Sequence, residues 1–212
     1  MKAMRIANRV LTTAALIAAT TSCGSVVRDS RAPVILVLDS LVAIRGAATV
    51  GQAVSNLASD VFTLVTTGGT CTQAAPCPTV FSDSGQAVMH VVLKDIGLPG
   101  TTPAPSTNNE VTITRIRVSY RRTDGRNQEG VDVPYAFDAA STATVAGTST
   151  VTMGFPLVRI QAKQESPLVQ LRNNGQVLSV IADVTVLGQD RVGNDVSATG
   201  SISIDFANFG DQ

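Results

Sequence analysis

The chain has 212 residues with 16 basic and 16 acidic side chains, 44% hydrophobic content, 4% aromatic content, no Trp and one His. That length allows one large domain or two small ones, with a core able to bury most of its apolar surface without many cross-links. The charge balance calls for no nucleic acid, and one His with two cysteines expected to be oxidised cannot make a tetrahedral zinc site.

The opening stretch "MKAMRIANRVLTTAALIAATTSC" places Lys2, Arg5 and Arg9 ahead of an apolar run from Val10 to Ala19, then Thr20, Thr21 and Ser22 before Cys23. Positive charge, apolar core and small-residue exit are the three parts of a secretory signal peptide. The run is about ten residues, too short for a bilayer core that needs roughly 20. The mature chain is therefore expected to cross no membrane. The small residues closing on Cys23 resemble the lipobox of bacterial lipoproteins, with Thr20 where that family usually carries Leu. The resemblance covers the first 23 residues and implies cleavage before Cys23 and its acylation, which would tether the chain to a membrane. Gly24, where Asp would imply inner-membrane retention in some bacteria, points to the outer membrane or cell surface. The expected organisation is a signal peptide over 1–22, a lipidated tether over 23–32 and one domain over 33–212. Loss of Lys2, Arg5 and Arg9 leaves 13 of the 16 basic residues against 16 acidic ones, a balance of −3.

Along the chain the dominant period is two, the signature of strands. "PVILVLDSLVAI" (33–44) is apolar enough to be buried on both faces. "GQAVSNLAS" (51–59) carries a weak helical signal, and "DVFTLVT" (60–66) is short and β-rich. Cys71 and Cys77 lie in the Gly, Thr and Pro-rich "GGTCTQAAPCPT", and at this spacing in an oxidising compartment they are expected to form a disulfide. Cys23 is then the leftover, which lipidation explains. In "QAVMHVVLKD" (86–95), Ala87, Met89, Val91 and Leu93 share one face. "EVTITRIRVSYRR" (110–122) changes phase between Ile113 and Ile116, so a bulge is expected near Thr114. "TDGRNQEG" (123–130) and "AASTATVAGTS" (139–149) read as loops, as does "GLPGTTPAPSTNN" (97–109), while "VDVPYAFD" (131–138) reads as an extended edge piece. "STVTMGFPLVRIQAK" (149–163) reads as a strand whose Pro156 belongs on an edge or at a bulge. "ESPLVQLRNNG" (165–175) could make one or two helical turns, with Pro167 at the start and Gly175 past the end.

The last two strands are the clearest. Leu178, Val180, Ala182, Val184 and Val186 form one face; Val196, Ala198, Ile202, Ile204 and Phe206 form another, opposite Ser197, Thr199, Ser201, Ser203 and Asp205. "QDRVGND" between them supplies a tight reversal at Gly193 and Asn194. The pattern predicts an all-β antiparallel sandwich of about 7–9 strands, with long loops and at most one short helix. The hairpin "VTVLGQDRVGNDVSATGSISI" resembles the last two strands of bacterial immunoglobulin-like or fibronectin type III-like domains, matching their D-x-x-G-N turn at Asp190, Gly193 and Asn194. The match covers about 30 residues. It implies an Ig-like sandwich used for adhesion, spacing or display.

Catalytic motifs are not found. His90 lies on the parity opposite Met89 and Val91, and no G-x-S-x-G elbow accompanies it. No phosphate-cradling glycine motif opens a helix, so no nucleotide is expected. Asp190, Asn194 and Asp195 offer oxygens that could hold Ca²⁺, but the favoured reading is that they serve the geometry of the turn. The expectation is a non-enzymatic protein with no cofactor and no metal. One cluster stands out: Arg115, Arg117, Arg121, Arg122 and Arg126, with Arg115, Arg117 and Arg121 on one strand face beside Ser119. Guanidinium forks suit carboxylate and phosphate, so the cluster is a candidate anion site, set against a solvated face balanced by neighbouring acids. The expected role is an envelope interaction or structural module, partnered by the membrane through its lipid and by other envelope proteins. The alternatives are an accessory protein binding an anionic ligand through residues 115–126, and an unrecognised hydrolase.

Overall fold

The computed structural model describes residues 31–47, 51–95, 106–147 and 149–210. Their strands are β1 (Val34–Ile44), β2 (Ala53–Val54), β3 (Asn56–Asp60), β4 (Thr63–Val65), β5 (Cys77–Thr79), β6 (Asp83–Leu93), β7 (Val111–Arg121), β8 (Phe137–Val145), β9 (Val151–Val158), β10 (Leu178–Asp190) and β11 (Asp195–Ala207). A four-stranded sheet, ordered β2-β1-β6-β9, packs on a five-stranded one, ordered β3-β11-β10-β7-β8, while β4 and β5 make a separate ribbon. The protein is an all-β sandwich, as its periodicity predicts. All strand pairs are antiparallel except β3 on β11, which runs parallel from Asn56↔Ser203 to Asp60↔Ala207.

Alternation builds the core. Ala87, Met89 and Val91 from β6 face Ile116, Val118 and Tyr120 from β7 and Val180, Ala182, Val184 and Val186 from β10, all buried. Burying such side chains contributes roughly 1.5–3 kcal/mol for each Val, Ile or Met. Gly200 marks a close approach of the sheets, since a Cβ there would lie 2.4 Å from Leu38 Cδ2. The phase change in β7 is a bulge: register against both β8 and β10 shifts between Ile113 and Arg115, which turns Arg115 outward and Ile116 inward. Pro156 sits on the edge strand β9, next to a register shift between Asp83 and Ser84 of β6, where its missing N–H breaks no ladder. Phe155 lies opposite Gly85, its ring filling the space that a Cβ would take.

Four segments depart from expectation. β1 is not buried on both faces: Val34, Leu36 and Ala43 are buried, Ile35 is exposed, and a register shift between Leu38 and Ser40 turns Asp39 to solvent. Residues 51–59 carry β2 and β3 instead of a helix, because Leu57 is drawn into the sheet beside Ile204. Most of 139–149 is strand β8, not loop; it pairs with β7 along the sheet edge. The strand expected over 149–163 ends at Val158, and Ile160–Gln164 forms a one-turn helix, α1, from residues of good helical propensity. A 3₁₀ helix over Leu168–Asn173 follows, with Pro167 at its N-cap, and Gly175 beyond it adopts positive φ.

Candidate functional site

The five arginines separate into two groups. Arg115, Arg117 and Arg121 project from the outer face of the five-stranded sheet, because the bulge at Thr114 puts all three on the parity opposite Ile116, Val118 and Tyr120. Arg121 is held firmly: its Nε donates to Asp183 Oδ2 at 2.7 Å, and Ser201 Oγ donates to the other carboxylate oxygen at 2.6 Å. Partial burial works to raise the Asp183 pKa, but the Arg121 and Ser201 hydrogen bonds outweigh it and the value falls below the ordinary range. Arg115 and Arg117 are held loosely. They share one carboxylate, Asp138 on β8, at 3.5 and 3.7 Å, and their side chains remain 54% and 57% exposed. Charge-assisted hydrogen bonds are about 2.7–2.9 Å, so both guanidinium groups keep donors for another acceptor. Around them, Thr185 lies beside Arg117 and bonds Thr199 at 3.1 Å, adding hydroxyl groups to the same surface.

Arg122 and Arg126 belong to the turn after β7. Both grip Asp124, Arg122 through Nη2 at 2.6 Å and Arg126 through Nη2 at 2.9 Å. The Arg122 hydrogen bond, assisted by Arg126, holds the Asp124 carboxyl well below the carboxylate range. Two cations and one anion thus close a turn whose Gly125 takes positive φ. The same two arginines line an open cleft of about 550 Å³, together with Val131, Asp132, Gln170 and Leu171. The five residues are therefore not a single row; two of them serve a turn and the mouth of this cleft.

Cys71 and Cys77 are disulfide-bonded with Cα atoms 5.3 Å apart, and Cys77 starts β5 in the small ribbon. Cys23 lies outside the described residues. His90 Nδ1 is 2.8 Å from Asp39 Oδ2, the residue that the β1 bulge turns outward. Asp190 is buried and spent on its turn: its carboxylate accepts from the Val192 and Asn194 backbone N–H groups at 2.9 and 2.8 Å and from Asn194 Nδ2 at 2.7 Å. Burial opposes ionisation there, but the Asn194 bonds win and the pKa is lowered. Asp195 instead accepts from Gln189.

Sequence reasoning overlooks a buried polar knot where β1, β3, β6 and α1 meet. Lys163 Nζ lies 2.8 Å from Asp83 Oδ2, and both side chains are fully buried. Ser59 Oγ and the Gly46 N–H donate to the same carboxylate at 2.6 and 2.8 Å. Asp60 next door pairs with Arg45 at 3.0 Å and accepts from Thr63 Oγ1. The signal in the sequence is slight: Lys94 and Lys163 are the lysines after residue 22 in a chain that otherwise uses Arg. No family model, curated protein or solved structure matches the chain.

Proposed function

We propose that the protein is a non-enzymatic, exported envelope lipoprotein whose Ig-like sandwich is an interaction module, and that its contact surface is the outer face of the five-stranded sheet around Arg115 and Arg117. The single observation behind this reading is the sharing of Asp138 by two well-exposed guanidinium groups on a hydroxyl-bearing sheet face. Such a face suits an acidic polymer or the acidic surface of another envelope protein, where carboxylates or phosphates can complete the unfilled forks. Cys23 would carry the lipid, placing the module at the outer membrane. Retention on immobilised polyglutamate, measured over a salt gradient, tests the contact surface. The wild-type chain should be held more strongly than the Arg115→Ser/Arg117→Ser variant, and equal elution would defeat the assignment. Mass measurement of the mature N-terminus, with and without globomycin, tests processing at Cys23.

A second reading is favoured by the cleft beside Arg122 and Arg126, whose size suits a small ligand. In it the protein is an accessory binder of small anions. Equilibrium dialysis with a dicarboxylate, comparing wild type with Arg126→Ala, separates this reading from the first, because the outer sheet face is untouched.

A further inference from the structure

Lys163 is a fully buried lysine, and its amine sits in a built environment. Nζ is 2.8 Å from Asp83 Oδ2 and donates to the Asp60 carbonyl at 2.8 Å. The Asp83 carboxyl is fixed at both oxygens: Oδ1 receives the Gly46 N–H at 2.8 Å, and Oδ2 receives Ser59 Oγ–H at 2.6 Å. Arg45 and the Asp60 carboxylate, paired at 3.0 Å, are the neighbouring charges. We propose that Lys163 and Asp83 condense with each other to form an intramolecular isopeptide bond joining α1 to β6. The proposal is independent of where the protein resides or what it binds.

Burial favours the uncharged amine, and the Lys163 pKa is lowered by desolvation. A proton moves from Nζ to Oδ2, turning the ion pair into a neutral amine and a carboxylic acid. The Nζ lone pair then attacks Cγ, and the charge that develops on Oδ1 falls on the Gly46 N–H, which acts as an oxyanion donor. A second amine proton passes to the neighbouring oxygen at the Oδ2 position, 2.8 Å from Nζ in the ion pair. The Cγ–Oδ2 bond breaks and that oxygen leaves as water, carrying both protons, while one hydrogen stays on the new amide nitrogen. Ammonium and carboxylate thus become amide plus water, with charge conserved and no oxidant or co-reactant needed. Fixing amine and carboxyl in contact gives the high effective concentration this slow step requires.

The test is a tryptic map of the purified, folded full chain after reduction of the disulfide. Cleavage at Arg45, Lys94, Arg159 and Arg172 should release a branched species joining residues 46–94 to 160–172, lighter than the two together by one water and uncut after Lys163. The Lys163→Arg variant should give linear peptides of full mass. Linear peptides from the wild type, with cleavage after Lys163, would overturn the proposal. A water loss located anywhere other than between Asp83 and Lys163 would do the same. The wild-type map decides the matter even if the variant fails to fold.

Discussion

Tyr120 on β7 donates a 2.6 Å hydrogen bond from its buried hydroxyl to the Leu157 carbonyl on β9, so a polar contact joins the two sheets through the core. Its ring also meets Phe206 edge-on, with centroids 6.4 Å apart. Desolvation pushes the Tyr120 hydroxyl far above its ordinary pKa, which keeps it a donor at all working pH values.

Tyr120→Phe keeps the ring and removes the donor, leaving a buried carbonyl without that partner. The expected cost is about 1–3 kcal/mol. Thermal unfolding should move down by several degrees with little change in secondary structure by circular dichroism. An unchanged midpoint would mean that the carbonyl finds water.

Against the uncondensed ion pair, Lys163→Met should cost about 3–5 kcal/mol, because it strands the Asp83 carboxylate in an interior that accepts it only when paired; against the condensed chain it also loses the cross-link. Adding Asp83→Leu should leave the double variant more stable than Lys163→Met alone, since removal of both charges leaves no unpaired ion. Urea midpoints of the two single variants and the double variant measure the coupling.

Asp183 and Asp190 have lowered pKa values in the fold. Their stabilisation is present above the unfolded value near 4 and disappears as pH falls through the lower folded values. Stability by denaturant titration should hold from neutrality to about pH 4 and decline below it. Asp190→Asn should flatten that acid limb while lowering stability at neutral pH.

Arg115→Ser/Arg117→Ser should alter stability by no more than about 1 kcal/mol, because both ion pairs are exposed and long. Arg121→Ser should cost somewhat more and leave polyanion retention nearly intact, since that guanidinium is already engaged by Asp183. Parallel melting and salt-gradient measurements on the two variants distinguish a binding role from a structural one.

Local rules read correctly at the β7 bulge and at Pro156, while the weak helical signal over 51–59 gives way to pairing with β1 and β11. The parity change between Ile113 and Ile116 marks a bulge because a one-residue slip would turn apolar side chains outward. Pro156 marks an edge because it lacks a ladder donor. β8 is not legible because Ala139, Ser141, Thr142 and Thr144 are small or polar, the composition of a loop; their strand is imposed by the register with β7. The short helix at Ile160 follows a strand with no intervening glycine, so periodicity ran the two together. The Lys163–Asp83 contact spans about 80 positions, and only the meeting of β6 with α1 brings the two together. Nothing in the flanking residues of either announces it.

The parallel strand β3 also governs the order in which the molecule can be completed. Leu57 reaches its ladder position only beside Ile204, near the opposite end of the polypeptide. Until residues beyond 200 are in place, β3 has no seat in the five-stranded layer. Fragments that lack those residues should therefore stay open to proteases, and commitment to the finished architecture should come late and all at once.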